Sequence, residues 1–350
     1  MELRKRRSLT AIVLAAGILF TMPLWATGAV RAVDVTETCR LTMEDGGNFE
    51  DNDMEGAGVV IDLYKVAAAE ADPAYDTYGY LVEEGFAALR DRLENHRDEI
   101  DSDGWAELAD QAAVEAMKGQ TAVATAELGE AVAELDCGLY LVIAHGKDMA
   151  AADYVSENGD GKFVSLARSA RYEYSFFPYL VSLPSTADVL SGQEVLTSDG
   201  TWSYTVRGTL KPTREERFGP LEIVKNLTDF ESGTPATFVF QVEATMDGET
   251  VYSNVVSITF TEAGTERVRL EDVIPAGSHV EVTEVYSGAV YSVEGAEVQT
   301  AEIGAETVAT VTFTNRYNGS GNHGGAVINH FAYTPGGETG SEGAWEWTRQ

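Results

Sequence analysis

Short runs of alternating apolar and polar residues, rich in β-branched side chains and separated by turns at regular spacing, fill residues 221–317, the pattern of an all-β sandwich. The stretch before it is mixed. From about Thr38 to Tyr80 the chain reads as strands broken by turns, among them the acidic loop Glu44–Glu55, and Val59, Ile61, Leu63 and Lys65 fall on one strand face. Over residues 82–118 the period lengthens: Phe86, Leu89, Leu93, Trp105, Leu108 and Ala112 recur at helical spacing, which predicts two helices joined by a turn at Asp101–Gly104. Strands return at Gly138–Ala144, Tyr172–Leu183 and Thr201–Leu210, and the charged, proline-containing segment Lys211–Pro220 closes this unit. After residue 317 comes the glycine-rich Gly319–Gly325, then a candidate hairpin formed by Ala326–Tyr333 and Trp345–Thr348. The expected fold is mainly β, with Ig-like β-sandwich domains, the first carrying a helical insertion. Its expected divisions are 1–32, a signal peptide; 33–212, an N-terminal β domain; 213–317, a β-sandwich; and 318–350, a linker and tail.

Strand parity in the second unit puts three polar residues where core residues belong. Lys225 shares its face with Leu221 and Ile223, Glu284 with Val280 and Val282, and Asn315 with Val311 and Phe313. A buried lysine and glutamate must be paired, neutralised or consumed by reaction, because each bare charge costs several kcal/mol. Desolvation favours a neutral amine and a protonated acid. Such an amine attacks the side-chain amide of Asn315 while Glu284 hydrogen-bonds to the amide oxygen and relays protons, expelling ammonia and leaving an isopeptide bond. The reaction would occur once per molecule, so it is crosslinking rather than turnover. The alternative places all three at strand ends, where alternation lapses and the head groups reach water.

These segments resemble a known family. Leu221–Lys225, Ile274–Gly277 followed by Val280–Glu284, and Val311–Asn315 are similar to the first strand, the penultimate-region signature and the last strand of Cna-B-type domains, repeats of Gram-positive surface adhesins and pilins. The resemblance covers roughly 221–317 and implies an internal isopeptide bond between Lys225 and Asn315 with Glu284 as its proton relay. Residues 36–212 resemble the N-terminal domain of sortase-assembled fimbrial subunits, on Gly138–Val142, Phe177–Pro184 and Trp202–Lys211. In that family a lysine at the position of Lys211 accepts the sorting-signal threonine of the next subunit. Gly208-Thr209-Leu210 departs from the usual Val-Tyr-Pro before that lysine. Trp202, Tyr204 and Val206 share one face, so a regular strand turns Lys211 towards solvent. The implied partners are other pilin subunits and a sortase. The competing reading is a secreted binding module for a host glycan or matrix protein, and an enzyme is the least favoured class.

Composition and termini adjust this picture. Arg4, Lys5, Arg6 and Arg7 precede an apolar run to about Trp25 and then small residues, a signal peptide expected to be cut near Ala32; a retained anchor is the alternative. No later segment is long and apolar enough to span a membrane, so the mature chain is expected to be extracellular, at the cell surface or cell wall. The formal charge of −33 argues against nucleic acid and anionic lipid as partners. Cys39 and Cys137 are the chain's two cysteines. In an exported protein they read as one disulfide, with two free buried thiols as the alternative. Lys65 has no closing-strand asparagine to match Asn315, and a salt bridge to Glu134 or Asp136 fits it better than a second crosslink. Glu99, Asp101, Asp103, Gly104, Glu107 and Asp110 line up loosely with a calcium loop, but capping of the following helix explains the same residues. The five histidines lack metal-ligand spacing, so no metal or cofactor is expected. The sequence ends at Gln350 without a sorting signal, read either as truncation or as a shortened paralogue.

Overall fold

The computed structural model describes residues 33–319, apart from 47–48, 50–52, 73, 75, 150–155, 158–161, 191–192, 197–201 and 232, together with the strands Asn329–Thr334 and Ala344–Arg349. The expected signal peptide and most of the glycine-rich linker lie outside the described residues. The chain divides into two compact units, one made of 1–169 and 173–214, the other of 170–172 and 215–350. Both are built mainly from β-strands.

In the first unit the long strand Val59–Ala71 is central. It pairs antiparallel with Tyr78–Val82, Ala124–Glu127 and Gly138–Gly146, and the last of these pairs with Tyr179–Leu183. Gly138–Gly146 is buried along its whole length, as its near-continuous apolar run demands. A second, three-stranded sheet places Thr38–Glu44 between Ala131–Asp136 and Thr205–Thr209, the latter in parallel. The helical insertion follows Tyr78–Val82. Its α-helix, Ser102–Ala116, packs Leu108, Ala112, Ala113 and Ala116 against Leu139, Leu141 and Ile143 of the large sheet.

The insertion departs from expectation in its first half. Where one helix was expected, the chain makes a 3₁₀ turn at Glu84–Leu89, a π turn at Asp91–Asn95 and another 3₁₀ turn at Arg97–Glu99. Phe86, Leu89 and Leu93 are nevertheless buried, because spacings of three and four bring side chains to one side in any of these windings. The second half behaves as a capped helix: Asp101 Oδ1 accepts the Gly104 N–H at 2.8 Å.

The second unit is a sandwich of two four-stranded sheets. One sheet orders Gly264–Pro275, Phe218–Leu227, Ala309–Tyr317 and Tyr291–Glu294; the other orders Glu249–Phe260, Ala236–Met246, His279–Tyr286 and Val298–Glu302. Phe218–Leu227 and Ala309–Tyr317, the lysine and asparagine strands, run parallel, whereas His279–Tyr286, the glutamate strand, lies in the facing sheet. The Ala236–Met246/Glu249–Phe260 hairpin turns on Asp247 and Gly248, both at positive φ (53° and 85°), the geometry that favours Asp-Gly in a two-residue loop. Inward residues of both sheets, including Leu221, Ile223, Phe238, Phe240, Val242, Val280, Val282, Val311 and Phe313, form one core. The tail strands Asn329–Thr334 and Ala344–Arg349 pair antiparallel as a hairpin.

Candidate functional site

Three inward positions of the sandwich are not apolar. Alternation along the lysine strand sends Leu221, Ile223, Lys225 and Leu227 into the core, and each is buried. The parallel register sets Lys225 opposite Phe313 and Leu227 opposite Asn315, so Lys225 and Asn315 are diagonal neighbours on the same face. From the facing sheet, Glu284 pairs with Phe240 in the ladder and points inward in phase with Val280 and Val282. The side chains of Lys225 and Glu284 are 0% exposed, and Asn315 is likewise 0% exposed.

The three head groups form a closed hydrogen-bonded ring. Lys225 Nζ donates to Glu284 Oε2 at 2.7 Å and to Asn315 Oδ1 at 2.5 Å, while Asn315 Nδ2 donates to Glu284 Oε1 at 2.6 Å. A longer contact runs from Asn315 Nδ2 to the Ser287 carbonyl, 3.4 Å. The surroundings are aromatic: Lys225 Nζ stands 4.6 Å from the Phe238 ring centre, 5.7 Å from Phe240 and 6.0 Å from Phe313. Burial pushes the Lys225 amine below its ordinary value, against the pull of Glu284. Burial pushes the Glu284 carboxyl up, opposed by Lys225 and Asn315 and reinforced weakly by Glu297. Both shifts run in the direction of a neutral amine beside a neutral acid.

One detail differs from expectation. The acid was expected to face the amide oxygen of Asn315; here Glu284 faces the amide nitrogen and the oxygen faces Lys225. One carboxylate oxygen therefore touches the amine and the other the amide nitrogen. Parity could not set this orientation, because it places a side chain on a face without fixing its terminal torsion. The phenylalanine walls contributed by Phe238 and Phe240 were not singled out from sequence, although the alternation in Thr237-Phe238-Val239-Phe240-Gln241 already carries them.

The other candidate residues stand apart. Lys65 Nζ bonds Asp136 Oδ2 at 2.8 Å, with the two side chains 19% and 77% exposed, an ion pair at the rim of the first unit. Lys211 is exposed and follows directly on Leu210, whose N–H donates to the Glu44 carbonyl at 2.8 Å beside the Thr205–Thr209 strand. The disulfide expected between Cys39 and Cys137 is absent. Both are buried free thiols with sulphurs 3.7 Å apart, a van der Waals contact rather than the roughly 2.05 Å of a bond. Burial raises both thiols above their ordinary value, Cys39 the more strongly. The acidic residues compared with a calcium loop spend oxygens elsewhere: Asp101 caps the α-helix, and within it Glu107 pairs with Arg92 at 3.3 Å and Asp110 accepts the Phe163 N–H at 3.3 Å. Among the described residues no cluster of three or more His, Cys, Asp or Glu side chains is arranged to hold a metal, and no helix is long and apolar enough to cross a membrane.

Comparison with known proteins follows this division. A family model described as a domain of unknown function (DUF5979) matches residues 221–318. No curated protein matches the chain. Among solved structures the chain is similar to the minor pilin GBS52 of Streptococcus agalactiae, at 14% identity and a TM-score of 0.22, over 81% of this chain and 96% of that one. The full-length major pilin SpaD of Corynebacterium diphtheriae is 14% identical with a TM-score of 0.20, over 82% of this chain and 99% of that one. A streptococcal ancillary pilin is 14% identical with a TM-score of 0.21, over 81% of this chain and 63% of that one. The architecture described above rests on the strand ladders of this chain, not on these superpositions.

Proposed function

We propose that the chain is a pilin-like cell-surface subunit whose second unit locks itself with an isopeptide bond between Lys225 and Asn315, with Glu284 as the proton relay. The observation that carries this reading is a lysine, a glutamate and an asparagine fully enclosed by phenylalanines and hydrogen-bonded only a few ångströms apart. In the neutral form of the pair, Lys225 Nζ attacks Cγ of Asn315. Attack leaves the carbonyl electron pair on Oδ1; the proton that Glu284 took from Lys225 passes to Nδ2, the surplus proton on the attacking nitrogen passes to Glu284, and the carboxyl is protonated before and after as Oδ1 re-forms the carbonyl. The C–Nδ2 bond breaks, ammonia leaves and a secondary amide remains. Folding supplies the effective molarity, since the two strands that carry the reacting groups are hydrogen-bonded neighbours. The water-free site strengthens each electrostatic contact.

The direct test is the intact mass of the exported chain. It should fall short of the sequence mass by one ammonia, and digestion should yield a branched peptide joining the Lys225 and Asn315 segments. A full sequence mass with no branched peptide would sink the crosslink. Assembly is the outer part of the proposal, with Lys211 as the amine that a sortase joins to the next subunit. Its support is an exposed lysine at the end of a strand held in parallel by Thr38–Glu44. Sortase-dependent high-mass ladders are expected in the cell wall, and ladders that persist in Lys211→Ala would remove that acceptor.

A further inference from the structure

The first described residues are held down more firmly than a chain entering a domain requires. The Val33 N–H donates to Asp76 Oδ1 at 2.7 Å, and the same oxygen accepts the Trp202 indole N–H at 3.1 Å. Next along, the Asp34 N–H donates to the Tyr204 hydroxyl at 2.8 Å. Val33, Val35 and Trp202 all pack against the core beneath the helix, with the Trp202 ring 5.4 Å from that of Tyr78. A carboxylate is thus aimed at one main-chain nitrogen, immediately after Ala32, the last of the small residues Ala26, Gly28, Ala29 and Ala32.

We propose that Ala32–Val33 is the bond cut on export and that Asp76 receives the α-ammonium group this releases. The step is hydrolysis by a signal peptidase: water adds across the amide, Ala32 leaves as a carboxylate and Val33 keeps the ammonium. Before the cut Asp76 accepts a hydrogen bond from a neutral amide. After it the same contact joins full opposite charges, and charge-assisted hydrogen bonds are about twice as strong as neutral ones. The new terminus is coupled to the strand that leads to Lys211. Asp76 is shared with Trp202, Tyr204 holds Asp34, and the following strand Thr38–Glu44 runs in parallel register with Thr205–Thr209. Processing therefore braces the segment before Lys211 from its N-terminal side. The inference rests on the export reading and is independent of the crosslink.

The experiment compares two full-length chains, one starting at Val33 with a free amine and one retaining an acetylated Ala32, each with Asp76 or Asp76→Asn. Asp76→Asn should lower the melting temperature of the first unit by about 2–4 °C in the Val33 chain, and by less than half as much in the acetylated chain. Acetylating Val33 itself should reproduce the loss with every side chain intact. Equal losses in both backgrounds overturn the ammonium receptor. N-terminal analysis of the secreted protein tests the cut separately: a terminus other than Val33 overturns the cleavage site, and a chain that is not secreted overturns the export reading, whatever the melting experiment returns.

Discussion

Lys225 and Lys65 hold matching places in the alternation of their strands, each in phase with apolar neighbours, and they reach different ends. The Lys225 head group is fully buried between two sheets and hydrogen-bonds to one acid and one amide. Lys65 lies in mid-strand, opposite Tyr140 and beside a register shift, with its side chain 19% exposed next to an aspartate that is 77% exposed. For Lys65 solvent screens the pair, and the contact contributes about 0–1 kcal/mol. For Lys225 desolvation outweighs the pull of the partner and lowers the amine pKa. On the proposed reading, a strand-face lysine would react only where a second layer closes over it and supplies both an acid and an acyl group.

The largest expected effect comes from breaking the sealed ring. Glu284→Ala should restore the full sequence mass, and should lower the melting temperature of the second unit by about 15 °C or more. Two losses add there: removing one partner of a buried pair costs about 3–5 kcal/mol, and an uncrosslinked loop of this length forfeits about 4–5 kcal/mol of chain-entropy stabilisation. For a unit of about 100 residues each kcal/mol moves the midpoint by about 4–8 °C.

A smaller effect, with a sign, should appear in Lys225→Met, which leaves Glu284 buried without its cation. Its carboxyl is already raised above its ordinary value of 4.5 by burial, and losing Lys225 raises it further. A group raised in the folded state binds more protons folded than unfolded. Stability of the second unit in this variant should therefore be greatest below pH 4.5 and fall as pH rises through the folded pKa, then level off. Chemical denaturation across that range checks this, and a flat profile would contradict it.

Two milder changes probe the rim pair. Asp136→Asn gives Lys65 an amide neighbour at the same position without enclosing it, and the mass should show no loss of ammonia from the first unit. Such a loss would mean that proximity suffices without burial. Lys65→Met should shift the melting temperature of the first unit by no more than about 2–4 °C, as expected for an exposed pair.

Much of the second unit was legible in the chain. Period-two alternation in Leu221–Lys225, Val280–Glu284 and Val311–Asn315 placed each polar residue on an inward face, because a strand has only two faces and its neighbours were apolar. The helical insertion was legible where Leu108, Ala112 and the Asp101 cap sustain one period. It was less so at Phe86–Leu93, where few residues fit 3₁₀, α and π windings alike. The cysteines were legible only as two alternatives, a disulfide or free buried thiols, because spacing in the chain says nothing of the distance between sulphurs; the structure brings the sulphurs to 3.7 Å as free thiols.

By itself, the sequence determined which faces are apolar, that the architecture is mainly β, and which of its residues carry an amine, a carboxyl and an amide in phase with the core. Local periodicity is enough for that, since it depends only on near neighbours along the chain. Tertiary structure alone decided that Lys225 and Asn315 lie on adjacent parallel strands, that Glu284 meets them from the other sheet, and that Lys65 stays at a rim. Those outcomes depend on which distant segments pair, on their register, and on how far each head group is removed from water.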